Sequence, residues 1–276
     1  MDQQIKEAFP LEQNKQRIVV KVGTSTLTHD SGSLDLRSME HLVRVLSDLS
    51  GAGHEVILVT SGAIAVGAAR LGLAERPKEL RMKQAAAAVG QCRMMHIYDK
   101  LFSEYNRSMA QILLTGDDVE DPDRAEHLHS TFSALLEMGV IPVVNENDSV
   151  SSAEIETGHH KVLGDNDTLS AIVADLCRAD LLVLLSDIDG LYDADPKSHP
   201  GAKLLHQVEA LTPEILEMAG GAGTWRGTGG MTTKLSAARI AMNAGCDMVI
   251  TNGQRMEGIY DIVAGKDVGT RFLAKR

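Results

Sequence analysis

Arg17-Ile18-Val19-Val20-Lys21-Val22-Gly23-Thr24-Ser25 is a short run, rich in β-branched residues, that stops abruptly in a glycine and two hydroxyls. An apolar run of this length without polar alternation reads as a strand buried on both faces, the kind a parallel sheet requires. A lysine inside such a strand is costly unless something anionic meets it. Lys21 is therefore either a phosphate ligand beside the glycine turn or an edge-strand side chain reaching solvent.

The same pattern recurs along the chain. Asp35 to Leu49 is an amphipathic helix with Met39, Leu42, Val43, Leu46 and Leu49 on one face, stopped at Gly51. Glu55 to Thr60 is a second strand, followed by Ser61-Gly62-Ala63 and a small-residue helix through Leu71. A long helix from about Lys78 to Tyr105 contains Ala85 to Ala88, which permit close packing. Met109 to Leu114 is a third strand and Asp121 to Met138 a further helix. Val140 to Val144 is the fourth strand, ending in Asn145-Glu146-Asn147-Asp148, and a polar, hairpin-like excursion runs to Leu163. Gly164-Asp165-Asn166-Asp167 then opens a helix from Thr168 to Cys177, where helix capping is the ordinary role for any of its carboxylates. Leu181 to Leu185, the most apolar strand, ends in Ser186-Asp187. Residues 188–206 read as irregular, with Gly190, Pro196 and Pro200 as punctuation. A helix from Pro213 to Ala219 follows, then a glycine-rich stretch with its helix, a strand (Met248 to Thr251), a short helix (Met256 to Ala264) and a closing strand (Val268 to Leu273).

This alternation predicts an α/β fold, a mostly parallel twisted sheet with helices on both faces. The expected organisation is a polar extension over residues 1–16 and one continuous domain over 17–276. In such sheets ligands bind beyond the carboxyl ends of the strands, and here those ends are Gly23-Thr24-Ser25, Thr60-Ser61-Gly62, Asn145 to Asp148 and Ser186-Asp187. Gly227-Thr228-Gly229-Gly230-Met231-Thr232-Thr233-Lys234 adds glycines that can turn N–H groups toward an anion, at the head of a helix whose apolar residues are Leu235, Ala238 and Met242. It is not a P-loop, because no glycine stands directly before Lys234.

Composition narrows the partners. A formal net charge of −11 argues against nucleic-acid or anionic-membrane surfaces. Cys92, Cys177 and Cys246 are distant from one another and lack C-x-x-C spacing, and so read as buried thiols in a reducing compartment. With no apolar leader and no apolar run long enough to span a bilayer, the chain reads as soluble and cytoplasmic. His127, His129 and His159-His160 lack nearby ligand spacing, so no metal site is expected.

These motifs together resemble the glutamate 5-kinases of the amino acid kinase family. The matching residues are V-K-V-G-T-S at 20–25, V-T-S-G-A-I at 59–64, V-N-E-N-D at 144–148, G-D-N-D-x-L-S-A at 164–171 and G-T-G-G-M-T-T-K at 227–234. The resemblance runs from about Arg17 to Phe272. It implies a three-layer sandwich and ATP-dependent phosphorylation of the glutamate side-chain carboxylate, the first step of proline biosynthesis. It further implies that Lys21 and Lys234 neutralise the transferring phosphoryl group while Asp167 positions both lysines. Ser61, Asp148 and Asn166 would bind glutamate. Ser186, Asp187 and the stretch Thr228, Gly229, Gly230, Met231, Thr232, Thr233 and Lys234 would bind ATP with Mg²⁺. Gly23 and Gly62 would allow close backbone approach at the reacting end. Proline feedback and a homo-oligomer, dimer or tetramer, are implied as well. The chain departs from the family in a longer loop at 158–163, in its polar N-terminal extension, and in ending at Arg276 without the C-terminal PUA domain of many relatives. Sibling kinases of carbamate, aspartate or N-acetylglutamate share the lysine logic. A nucleotide-sensing protein without turnover would also keep the site.

Overall fold

The computed structural model describes residues 15–150, 165–196, 198–219 and 230–275. Most of the polar extension, the 158–163 loop, Trp225 and residues 227–229 lie outside the described residues. The strands are β1 (Arg17–Val22), β2 (Glu55–Val59), β3 (Met109–Leu114), β4 (Ile141–Glu146), β5 (Leu181–Ser186), β6 (Gln207–Val208), β7 (Asp247–Asn252) and β8 (Thr270–Phe272). The helices up to β5 are α1 (Thr24–Leu27), α2 (Leu36–Gly51), α3 (Ala63–Arg70), α4 (Leu80–Glu104), α5 (Gly116–Glu120), α6 (Pro122–Glu137) and α7 (Asn166–Leu176). After β5 come α8 (Pro213–Ala219), α9 (Met231–Asn243) and α10 (Gly258–Val263).

All eight strands form one sheet in the order β3-β4-β2-β1-β5-β7-β8-β6. β1 is central, parallel to β2 on one side and to β5 on the other, so Lys21 is not on an edge strand. Alternate β1 side chains serve opposite faces. Ile18, Val20 and Val22 pack with α2 and α4, whereas Val19 packs with apolar residues of α7 and α9. Lys21 shares the parity of Val19 and so points toward α7 and α9. The chain fills the β2 side of β1 before crossing to β5, which places a topological switch at the carboxyl end of the central strand.

Several boundaries differ from the sequence reading. The expected Asp121–Met138 helix is preceded by a separate α5, because Thr115 and Asp118 form a capping box while Asp121 caps α6 anew with Pro122 in its first turn. α7 begins two residues earlier than expected, since the Asp165 carboxylate accepts from the N–H groups of Asp167 (2.7 Å) and Thr168 (2.9 Å). β8 runs antiparallel to β7. The four-residue α1 and two-residue β6 are too short to show a period, and the irregular segment after β5 is pinned by a Tyr192–Leu204 bridge. Cys177 and Cys246 are buried, and burial pushes both thiols up to about 12. Cys92 is exposed, contrary to expectation, although its α4 neighbours Gln91 and Met94 are buried.

Helices α3 and α4 touch backbone to backbone. A Cβ on Gly67 would stand 1.8 Å from the Ala86 carbonyl oxygen, and one on Gly90 1.8 Å from that of Ala63. Replacing a helical glycine with alanine ordinarily stabilises by about 0.5–1 kcal/mol. Here the sign reverses: Gly90→Ala lowers stability by roughly 2–4 kcal/mol in a denaturant titration. Gly201→Ala, with no atom within 4 Å of its added Cβ, stays near the parent, and a neutral Gly90→Ala would contradict this packing.

Candidate active site

The carboxyl ends of β1, β2, β4 and β5 open on one cleft of about 890 Å³. At its floor Lys21, Asp167 and Lys234 meet, with 9%, 2% and 6% of their surfaces exposed. Lys21 Nζ lies 2.6 Å from one Asp167 oxygen, and Lys234 Nζ lies 3.1 Å from the other. The Thr233 hydroxyl donates between Asp167 Oδ2 (3.1 Å) and the Gly230 carbonyl (2.7 Å). Burial alone would raise the Asp167 carboxyl. The charges of Lys21 and Lys234, with hydrogen bonds from the same ammonium groups, outweigh it and hold the carboxyl below its ordinary value.

The cluster is positioned by helix starts. Because Asp165 takes the capping role at α7, Asp167 is free to turn across to β1 and α9. Gly230 begins α9 without a side-chain cap, so the helix presents first-turn N–H groups on the side where its dipole is positive. Two cations, one carboxylate and this helix end leave a positive pocket that accommodates the oxygens of an anionic group.

Ser61, Asp148 and Asn166 line the same cleft. The Ser61 hydroxyl donates to the Val22 carbonyl (3.1 Å) and lies 3.2 Å from the Thr24 hydroxyl, tying the ends of β1 and β2 together. Gly62 adopts φ 102°, which a side chain resists, and an added Cβ would press within 3.2 Å of Thr24. Gly23 has ordinary backbone, and a Cβ there would lie 3.7 Å from Lys21 Nζ, so glycine keeps the space beside the ammonium open. Burial raises the Asp148 carboxyl to about 6, Glu146 adds to the rise, and Arg76 opposes it.

Ser186 and Asp187 line the same cleft beyond β5, with the Ser186 hydroxyl donating to Asp187 at 3.1 Å. Thr233 joins the cluster through Asp167, while Met231 and Thr232 open α9 without lining the cleft. Thr228 and Gly229 lie outside the described residues. The sequence reading missed Arg76, Lys78 and Lys83 in this lining: Glu75-Arg76-Pro77-Lys78 sits between two helices without a period or a glycine signature, and Lys83 is a single basic residue within the long α4. His129, read as an ordinary helix residue, bonds the Leu176 carbonyl through Nδ1 at 2.7 Å.

A model of the amino acid kinase family matches residues 16–252. The "Glutamate 5-kinase" of Clostridium perfringens is 53% identical over 95% of this chain and 97% of its own length. That of Listeria monocytogenes is 50% identical over 95% of both chains. Among solved structures, carbamate kinase from Giardia lamblia bound to AMP-PNP superposes with a TM-score of 0.67 at 16% identity, covering 96% of this chain and 100% of that one. UMP kinase from Bacillus anthracis reaches 0.62 at 14% identity, covering 95% and 97%. At such identities the structural likeness concerns the fold alone.

Asp148 supplies a test that needs no ligand. Its folded value of about 6 lies above the ordinary 3.8, so its ionised form opposes folding once the pH exceeds the unfolded value, and fully so above 6. Asp148→Asn therefore raises stability at pH 7.5 by on the order of 1–2 kcal/mol. The gain shrinks as pH falls from 6 toward 4. Melting curves across that range check it, and equal stability at pH 7.5 would contradict it.

Proposed function

The chain belongs to the amino acid kinase family, and on that premise we propose that it transfers the γ-phosphoryl group of ATP to the side-chain carboxylate of L-glutamate. The product is L-glutamyl 5-phosphate, in the first step of proline biosynthesis. The observation that carries the reading is Asp167 joining Lys21 and Lys234 at the floor of one cleft. Relatives named glutamate 5-kinase, 50–53% identical over nearly the whole chain, support glutamate as the acceptor.

The chemistry suits these residues. Phosphoryl transfer asks a protein for positioning and charge neutralisation rather than covalent work. The acceptor carboxylate is already ionised near neutral pH, so an oxygen lone pair attacks the γ-phosphorus directly. The bond to the β–γ bridging oxygen breaks, ADP leaves with that electron pair, and no proton need be moved. Lys21 and Lys234 face the oxygens of the group in flight, and Asp167 fixes the distance between the two ammonium groups. Ser61 and Asn166 hold the acceptor end of glutamate, and Asp148 meets its α-ammonium. Ser186, Asp187 and the stretch from Thr228 to Lys234 hold the nucleotide.

Both Asp167 oxygens are engaged by lysines, and among the described residues no group of three or more metal-ligating side chains gathers. That donor set fits Mg²⁺ carried on the ATP phosphates, where the ion supplies additional charge neutralisation. Proline carries a cationic ring nitrogen and a carboxylate on one carbon, as glutamate carries its α-ammonium and α-carboxylate, so the surroundings of Asp148 suit it as a feedback inhibitor. Assembly as a homo-dimer or tetramer in the cytoplasm completes the reading, and the free cysteines are in keeping with a reducing compartment.

Incubation with MgATP and a panel of acceptor acids, measuring ADP and trapping acyl phosphate as hydroxamate, tests the reaction. Glutamate-dependent ADP and hydroxamate are expected, and their absence would overturn the assignment. Lys234→Ala lowers kcat by about 10³-fold or more while the KM for glutamate moves little; a change confined to KM would contradict a role in the transition state. With Asp148 near 6, kcat/KM for glutamate falls as pH drops below about 6, approaching tenfold per unit. A flat profile between pH 5 and 7 would remove Asp148 from the ammonium site.

A further inference from the structure

Arg76 stands exposed on the cleft wall, on the loop between α3 and α4, and its charge acts on Asp148. The α-ammonium and α-carboxylate of an amino acid hang from one carbon, so the groups that read them must be neighbours of opposite sign. Asp148 is the anion of such a pair. Of the other cations lining the cleft, Lys21 and Lys234 are committed to Asp167, Lys83 is already engaged, and Lys78 is not among the charges that act on Asp148. Arg76 is the cation that Asp148 feels. Pro77 follows it and confines its backbone to extended conformations, which limits where the guanidinium can swing. A carboxylate arriving beside Glu146 and Asp148 without a counter-charge is repelled, whereas a guanidinium fork meets it with two parallel N–H···O bonds.

We infer that Arg76 binds the α-carboxylate of the substrate and thereby selects an α-amino acid over acceptors that carry the same reacting carboxylate without it. This rests on glutamate being the acceptor. The guanidinium touches no reacting atom; it is a specificity residue whose contribution lies in substrate binding.

4-Aminobutyrate isolates the contact, since it is glutamate without the α-carboxylate and keeps both the ammonium and the acceptor end. Steady-state kinetics of the parent, Arg76→Gln and Arg76→Lys are compared on both acids with MgATP. For Arg76→Gln the KM for glutamate rises about 10- to 100-fold, the scale of a lost charged hydrogen bond. kcat and the KM for ATP change less than about threefold. The preference for glutamate over 4-aminobutyrate in kcat/KM collapses by the same factor, and Arg76→Lys retains part of it. An unchanged preference ratio in Arg76→Gln, including a case where both acids decline together, overturns the inference while leaving glutamate as the acceptor. A parent enzyme that makes no product from glutamate overturns the functional reading and this inference with it.

Discussion

Lys21, Asp167 and Lys234 occupy positions where none of the three charges is tolerable alone. An ammonium buried in a central strand and another in the first turn of a helix need an anion, and a nearly inaccessible carboxylate needs cations. The fold satisfies all three by drawing β1, α7 and α9 to one point, and this places conditions on the rest of the molecule. β1 must be central, so that the parity of Lys21 aims it at a covered face. α7 must start where another residue, Asp165, does the capping, leaving the Asp167 side chain free to cross. α9 must begin at Gly230, where no side chain competes for the helix end. Two ammonium groups face one carboxylate at this point, an arrangement that suits an anionic ligand.

Two carboxylates of the cleft are tuned in opposite senses. The lysines hold Asp167 ionised, whereas burial makes the ionised form of Asp148 costly. A site built only for stability would place an apolar or amide side chain at Asp148. Retaining the carboxylate makes sense when a cationic ligand group restores what burial removes, and Arg76, whose charge acts on Asp148, adds a cation to the same lining.

Much of this was legible in the sequence, for identifiable reasons. Apolar runs announce strands, so β1, buried at the centre of the sheet, and the edge strand β3 both fall on the residues expected, and the polar strand ends marked the cleft edge. Local signals did less well where function competes with capping. Asp165, Asn166 and Asp167 are equally plausible helix starters by type, and only the three-dimensional partners show which of them caps and which bridges. Lys21 was ambiguous for a similar reason: an edge strand and a central strand share one local pattern, and hydrogen bonding to both β2 and β5 decides it. Arg76 was invisible because a single basic loop residue carries no period. The exposure of Cys92 depends on which face of a long helix with a weak apolar period is covered, and the local sequence does not say. α1, β6 and the reversed β8 are shorter than the window in which periodicity can be read.

The central claim is that Asp167 serves by spacing two cations around a group in flight rather than by binding either substrate. Pre-steady-state quench of Asp167→Asn with MgATP and glutamate, beside equilibrium binding of each ligand, tests it most directly. The claim predicts a chemical step slowed by roughly 100-fold or more, with both affinities within a few-fold of the parent. An undiminished chemical step, or a loss confined to the binding of one substrate, would contradict it.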